Sequence, residues 1–139
     1  MYFDYGAREV DYLKARDRVL GEVIDQVGHV EREVDPDLFS AVVHHIVGQQ
    51  ISTKAQATIW ARMRERLGEV NARTVAAAGT AALQSAGISL RKAEYIQDFA
   101  GKVNSGAFDL QRVAALPDSE AIEALVALKG VGVWTAEMI

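Results

Sequence analysis

Apolar residues recur three and four positions apart along almost the whole chain, and no stretch alternates apolar with polar as a half-buried strand does. Val10, Leu13, Leu20, Ile24 and Val27 mark a first amphipathic helix. Asp35-Pro36 reads as a start signal, a capping carboxylate followed by proline at the first helical position. The helix after it carries Phe39, Val42, Val43, Ile46 and Val47 toward a core, and Gly48-Gln49-Gln50-Ile51 interrupts it. Ser52 is placed to cap a helix with Ala55, Ile59, Met63 and Leu67 on one face and Lys54, Arg62, Arg64 and Arg66 elsewhere. Short helices follow around Val75 and Leu83, the second stopped by Gly87. Ser89 caps the next, which runs through Ala93, Ile96, Ala100 and Val103 to a stop at Gly106. A turn of helix at 110–114 precedes Leu116-Pro117, and Asp118 or Ser119 caps a helix through Ile122, Leu125 and Leu128. Lys129-Gly130-Val131-Gly132-Val133 then leads into a helix opening at Trp134. The pattern predicts an all-α chain of seven to nine short helices. They form one helical domain over 1–139, with a hairpin over 119–139 and no repeat, low-complexity tract or long linker.

Composition agrees with a folded chain. Half of the 139 residues are hydrophobic and 24% are charged, the balance of a globular protein rather than a disordered one. With no cysteine, disulfides, thiolate metal sites and thiol nucleophiles are excluded. The start, Met-Tyr-Phe-Asp-Tyr, lacks a basic stretch followed by an apolar run, and apolar runs are only a few residues long. The expectation is therefore a cytoplasmic chain without a membrane partner. The net charge is −4, which at first argues against a polyanionic partner. Its distribution changes that picture. Residues 1–37 hold five basic and ten acidic groups, residues 38–105 eight basic and four acidic, and residues 106–139 two basic and five acidic. A basic middle in an acidic chain is either a binding face or a solvated one.

Three segments stand out. In Leu128-Lys129-Gly130-Val131-Gly132-Val133-Trp134-Thr135-Ala136, two glycines one residue apart allow a sharp turn and clear side chains from its outer surface. The amides of Gly130, Gly132 and the next helix's first turn can then converge on an anion, with Lys129 beside them. The bland alternative is a corner between packed helices. In Val42-Val43-His44-His45-Ile46-Val47-Gly48-Gln49-Gln50-Ile51-Ser52, the paired glutamines offer donors and acceptors. Those groups suit nucleobase edges, or equally the satisfaction of helix ends. His44 and His45 lack ligand-spaced partners. The third segment, Gly87-Ile88-Ser89-Leu90-Arg91-Lys92-Ala93-Glu94-Tyr95-Ile96, reads by itself as a capped helix with an exposed basic first turn.

Together and in this order, these segments resemble the helix-hairpin-helix DNA glycosylases, and within them the 3-methyladenine DNA glycosylase II family. The carriers are Gly-Gln-Gln-Ile-Ser-x-x-Ala-Gln, Ser-x-Arg-Lys-Ala-Glu-Tyr-Ile and Leu-Lys-Gly-Val-Gly-Val-Trp-Thr-Ala-Glu-Met. The likeness extends from about residue 38 to residue 139. It implies a helix-hairpin-helix glycosylase fold, incomplete here. The implied activity flips an alkylated purine out of duplex DNA and hydrolyses its N-glycosidic bond in base-excision repair. It implies that Gln50 is the wedge and that Gln49, Trp134 and Met138 line the base pocket. Lys129, Gly130, Val131, Gly132 and Thr135 would bind a DNA phosphate. No cofactor is implied beyond a monovalent cation, Na or K, at the backbone carbonyls of Val126, Leu128 and Val131. The partner is double-stranded DNA containing alkylated bases, and in a bacterium the setting would be the nucleoid.

Where related glycosylases that also cut the backbone carry a lysine that attacks the sugar, this chain has Trp134. The resemblance therefore implies a monofunctional enzyme without lyase activity. An indole face can stack on a flipped alkylpurine and favour its positive charge; the competing reading is a core tryptophan beneath the hairpin. Glycosidic cleavage builds an oxocarbenium-like sugar that a nearby carboxylate stabilises. The family's catalytic aspartate falls beyond Ile139, and Glu137 does not match its position. The expectation is thus a fragment of a longer protein that binds DNA weakly, excises nothing alone and self-associates through an uncovered apolar face. A non-catalytic DNA-binding module of helix-hairpin-helix type and a helical interaction domain are the competing readings.

Overall fold

The computed structural model describes all 139 residues, and they are all-helical, with nine helices and one isolated antiparallel bridge between Tyr2 and Glu33. The chain divides into two compact units, Met1–Pro36 and Asp37–Ile139. The division falls at Asp35-Pro36, which the sequence pattern presents as a helix start.

The first unit holds α1, Ala7–Arg16, and α2, Arg18–Val27, packed on each other. The pattern predicts one helix here. Two form because Asp17 turns extended (φ −140°, ψ 110°) and its carboxylate accepts from the Leu20 amide, starting a new helix. Gly21 is the only buried residue of the pair, and a Cβ built on it would lie 3.5 Å from Lys14, so the helices approach closely. Tyr5 closes the unit, its hydroxyl donating to the Val30 carbonyl and accepting from the Val30 amide. Val19, Val23, Val27 and Val30 remain exposed.

The second unit carries the core. Its helices are α3, Leu38–Gly48; α4, Thr53–Leu67; α5, Ala72–Ser85; α6, Leu90–Asn104; α7, Leu110–Ala114; α8, Asp118–Val126; and α9, Val133–Met138. The α3 cap is Asp37, whose carboxylate reaches the amides of both Phe39 and Ser40, rather than Asp35. Ser52 and Ser89 cap α4 and α6 as their sequence positions predict. The two helices expected around Val75 and Leu83 are the halves of α5, kinked where Gly79 takes φ +76°. Asp118 and Ser119 do not cap α8. Pro117 precedes that helix with no side-chain bond, and Asp118 stands in its first turn, near the positive end of the dipole.

Phe39, Val42, Val43, Ile46 and Val47 of α3 are buried together with Met63, Val75, Leu83, Ile96, Phe99 and Ala100. Phe39 stacks on Phe99 with centroids 4.9 Å apart. Leu125, Leu128, Val131 and Ala136 attach the α8–α9 hairpin to the same core. No helix is long and apolar enough to cross a membrane.

Candidate functional site

Helix α3 ends at Gly48, where the last carbonyls run out of intrahelical donors. Side chains from two other helices bond carbonyls in and just past its last turn. Gln56 of α4 donates from Nε2 to the His44 carbonyl at 2.9 Å. A Cβ on Gly48 would stand 2.2 Å from that amide nitrogen, so only glycine admits the bond. Lys92 of α6 donates from Nζ to the carbonyls of Val47 at 2.8 Å and Gln49 at 2.7 Å. Burial holds its ammonium below the ordinary lysine value.

The loop after α3 contains the paired glutamines. Gln49 reaches the other end of the sequence, its Nε2 donating to the Gly130 carbonyl at 2.7 Å and to Thr135 Oγ1 at 3.4 Å. Gln50 is exposed and holds φ +58°, the only non-glycine residue at positive φ. Such a conformation costs on the order of 1 kcal/mol and persists only where surrounding contacts hold it.

The hairpin runs from α8 through residues 127–132 into α9. Gly130 has φ +83°, and a Cβ there would lie 2.3 Å from the Tyr95 ring, so a side chain is excluded both by backbone and by space. Gly132 is different: it is exposed and a Cβ would meet nothing within 4 Å. Val131 and Thr135 are buried beneath the turn. Trp134 is 70% exposed, so it is not a core tryptophan under the hairpin. Met138 is half-buried at the end of α9. Lys129 Nζ lies 3.4 Å from Asp98 Oδ1, with Lys102 2.8 Å from the other oxygen. Lys102 first, and then Lys129, hold the Asp98 carboxyl below the usual carboxylate range, against the opposing effect of its burial.

One helix thus supports both halves of the site. Lys92, Tyr95 and Asp98 stand three apart on α6 and contact, respectively, the glutamine loop, Gly130 and Lys129. Sequence reasoning reads Lys92 as part of an exposed basic turn and misses this role. The available signal is a lysine in the first turn of a helix, where the dipole disfavours a cation. Gln56 is likewise missed, although it closes the Gly48–Gln56 segment. The structure brings Gln49, Gly130 and Thr135 together. The two histidines are occupied within the fold: His45 Nδ1 lies 2.9 Å from the Ala41 carbonyl, and His44 packs on Trp60 at 4.7 Å.

Over residues 43–136 the sequence matches the HhH-GPD superfamily of base excision DNA repair proteins, and the chain belongs to that superfamily. Its all-α architecture is likewise that of solved glycosylases. The DNA-3-methyladenine glycosidase of Bacillus halodurans is 35% identical with a TM-score of 0.80, covering 99% of this chain and 64% of its own. The 3-methyladenine DNA glycosylase of Archaeoglobus fulgidus is 24% identical, with a TM-score of 0.77 and coverage of 96% and 49%. The Schizosaccharomyces pombe 3-methyladenine DNA glycosylase, solved with abasic DNA, shares the fold at 22% identity, with a TM-score of 0.79 and coverage of 95% and 68%. The chain therefore spans less than two thirds of the first two. No curated protein matches it.

Proposed function

We propose that this chain supplies the DNA-gripping and base-flipping surface of a monofunctional glycosylase that removes alkylated purines of the 3-methyladenine type from duplex DNA. The observation that carries the reading is the Gln49–Gly130 hydrogen bond. It ties the loop suited to entering the base stack to the turn suited to holding the backbone.

In this reading a phosphate docks on the amides of Gly130, Gly132 and the first turn of α9, above the buried Val131 and Thr135. Those first-turn amides have no intrahelical acceptor, and phosphate contacts anchor without reading sequence. Lys129 adds charge beside the turn. Gln50, exposed and held in its strained conformation, enters the space a flipped base vacates and hydrogen-bonds the orphaned partner base. The exposed Trp134 indole stacks on the everted base. Its attraction for a cationic alkylpurine is worth about 1–2 kcal/mol. Met138 forms an apolar wall beside it. With both amide hydrogens of Gln49 engaged, its Oε1 is what remains to meet a base edge. An indole offers no amine to attack the sugar, which favours hydrolysis over lyase chemistry.

The hairpin also suits a monovalent cation, Na or K, at the carbonyls of Val126, Leu128 and Val131. Val126 and Leu128 lie at and just past the end of α8, where carbonyls run out of helical donors. Neutral oxygens suit an alkali ion. Leu128 O accepts one bond, from the Val131 amide at 3.2 Å, and retains a second lone pair. Such an ion would supply positive charge at the turn facing the phosphate.

Fluorescence anisotropy with labelled duplexes tests the proposal. The chain is expected to bind a duplex carrying an abasic-site analogue more tightly than the intact duplex, with affinity falling steeply as salt rises. Equal affinity for both duplexes, or no binding at low salt, would contradict it.

A further inference from the structure

Lys92 has an unusual situation for a lysine. It sits in the first turn of α6, is half-buried, and its ammonium is bonded to two backbone carbonyls with no carboxylate in an ion pair with it. Burial without a counter-ion disfavours the charge. The two carbonyls it holds belong to Val47 and Gln49, the residues flanking Gly48 at the end of α3. The Gln49 carbonyl is part of the peptide plane that carries the Gln50 nitrogen. Fixing that oxygen fixes the plane about which Gln50 φ is measured, and Gln50 is the one non-glycine residue at positive φ. The Gln49 side chain is meanwhile anchored on Gly130. Backbone and side chain on one side of Gln50 are therefore both restrained, as a strained residue requires.

We propose that Lys92 is a positioning residue: by clamping the Gln49 carbonyl it sets the direction in which Gln50 enters DNA, and so sets the preference for an opened base stack over intact duplex. This rests on the DNA-binding reading above and deepens it. Lys92 touches no DNA in this account, because two of its three hydrogens are engaged inside the protein and its role is exerted through the peptide it holds.

The test uses the full chain with Lys92→Met, which keeps the aliphatic stem, and Lys92→Arg, which restores donors. Dissociation constants are measured for an abasic-analogue duplex and the intact duplex across a salt series, well below the melting temperature. Lys92→Met is expected to reduce the preference for the abasic duplex roughly tenfold, the scale of losing one charge-assisted hydrogen bond. Intact-duplex binding and the salt slope stay as in wild type, and Lys92→Arg recovers the preference. Where Lys92→Met does not fold, Lys92→Gln, with one amide donor, serves with the same readings. An unchanged preference in the folded variant, which a purely structural cap would produce, overturns the inference. So does a parallel loss on both duplexes with a salt slope shallower by about one, the mark of a direct phosphate contact. If wild type itself shows no preference for the abasic duplex, the broader reading fails and this inference falls with it. Loss of preference in Lys92→Met or Lys92→Gln, with wild type and Lys92→Arg retaining it, leaves the broader reading intact and supports the inference.

Discussion

Gln49 Nε2 donates to the Gly130 carbonyl oxygen at 2.7 Å, although 81 positions separate the two residues. The bond joins the loop between α3 and α4 to the turn between α8 and α9, two of the glycine-bearing breaks in the helical pattern. Replacing Gln49 with Ala leaves the half-buried Gly130 carbonyl without this donor and costs about 1 kcal/mol of unfolding free energy. Gln49→Glu costs more, because a carboxylate then faces a carbonyl and the Thr135 hydroxyl can satisfy only one of its oxygens. Urea denaturation of the two variants checks both values and their order.

The two hairpin glycines separate folding from binding. Gly130→Ala forces a Cβ against the Tyr95 ring in a left-handed backbone. It is expected to destabilise by about 2 kcal/mol or more. Gly132→Ala places its methyl in open space at φ −93° and should change stability by less than about 0.5 kcal/mol. If the hairpin amides hold a phosphate as proposed, the same methyl intrudes on it. Thermal melts paired with duplex binding should therefore show Gly130→Ala melting lower, and Gly132→Ala melting normally while binding DNA more weakly.

Trp134 is mostly exposed, so Trp134→Ala removes little buried surface and should leave the melting temperature nearly unchanged. Under the proposed function its effect falls on base stacking, worth about 1–3 kcal/mol per base. The expected outcome is a roughly tenfold or greater loss of affinity for a duplex presenting a flipped base. Intact duplex, in which no base reaches the indole, should bind as before. Anisotropy titrations with both duplexes read the difference.

Lys92 carries a pH signature. Its value in the folded chain lies below the 10.5 of a free lysine because of burial. Between those two values the unfolded chain binds more protons than the folded one, so the contribution of Lys92 to stability rises with pH across that window. The neutral amine still has two hydrogens for the Val47 and Gln49 carbonyls. The difference in unfolding free energy between wild type and Lys92→Met should accordingly grow as pH rises toward 10.5 from below. A flat difference would mean that the ammonium is not desolvated.

Helix identities were legible from the sequence because periodic apolar positions such as Phe39, Val42, Val43 and Ile46 face one core, and because Ser52 and Ser89 cap locally. Boundaries set by competition between neighbouring acids were not. Asp37 wins the α3 cap from Asp35 by reaching two amides, and Asp17 splits the first predicted helix. The glycine hairpin and the paired glutamines were visible as breaks in the pattern. That Gln49 bonds Gly130 was not visible, since periodicity carries no information about contacts between distant segments. Lys92 was misread for the same reason: an exposed basic turn and a buried carbonyl clamp have the same local sequence, and only α3 ending above it distinguishes them.

In the proposed complex the backbone amides around Gly130 and Gly132 hold a DNA phosphate while Gln50 enters the stack. Titrating the 15N-labelled chain with an abasic-analogue duplex and following amide resonances tests this residue by residue. The largest shifts are expected on Gly130, Gly132, Val133, Trp134 and Gln50. Shifts that leave the hairpin amides unmoved and gather elsewhere would contradict it.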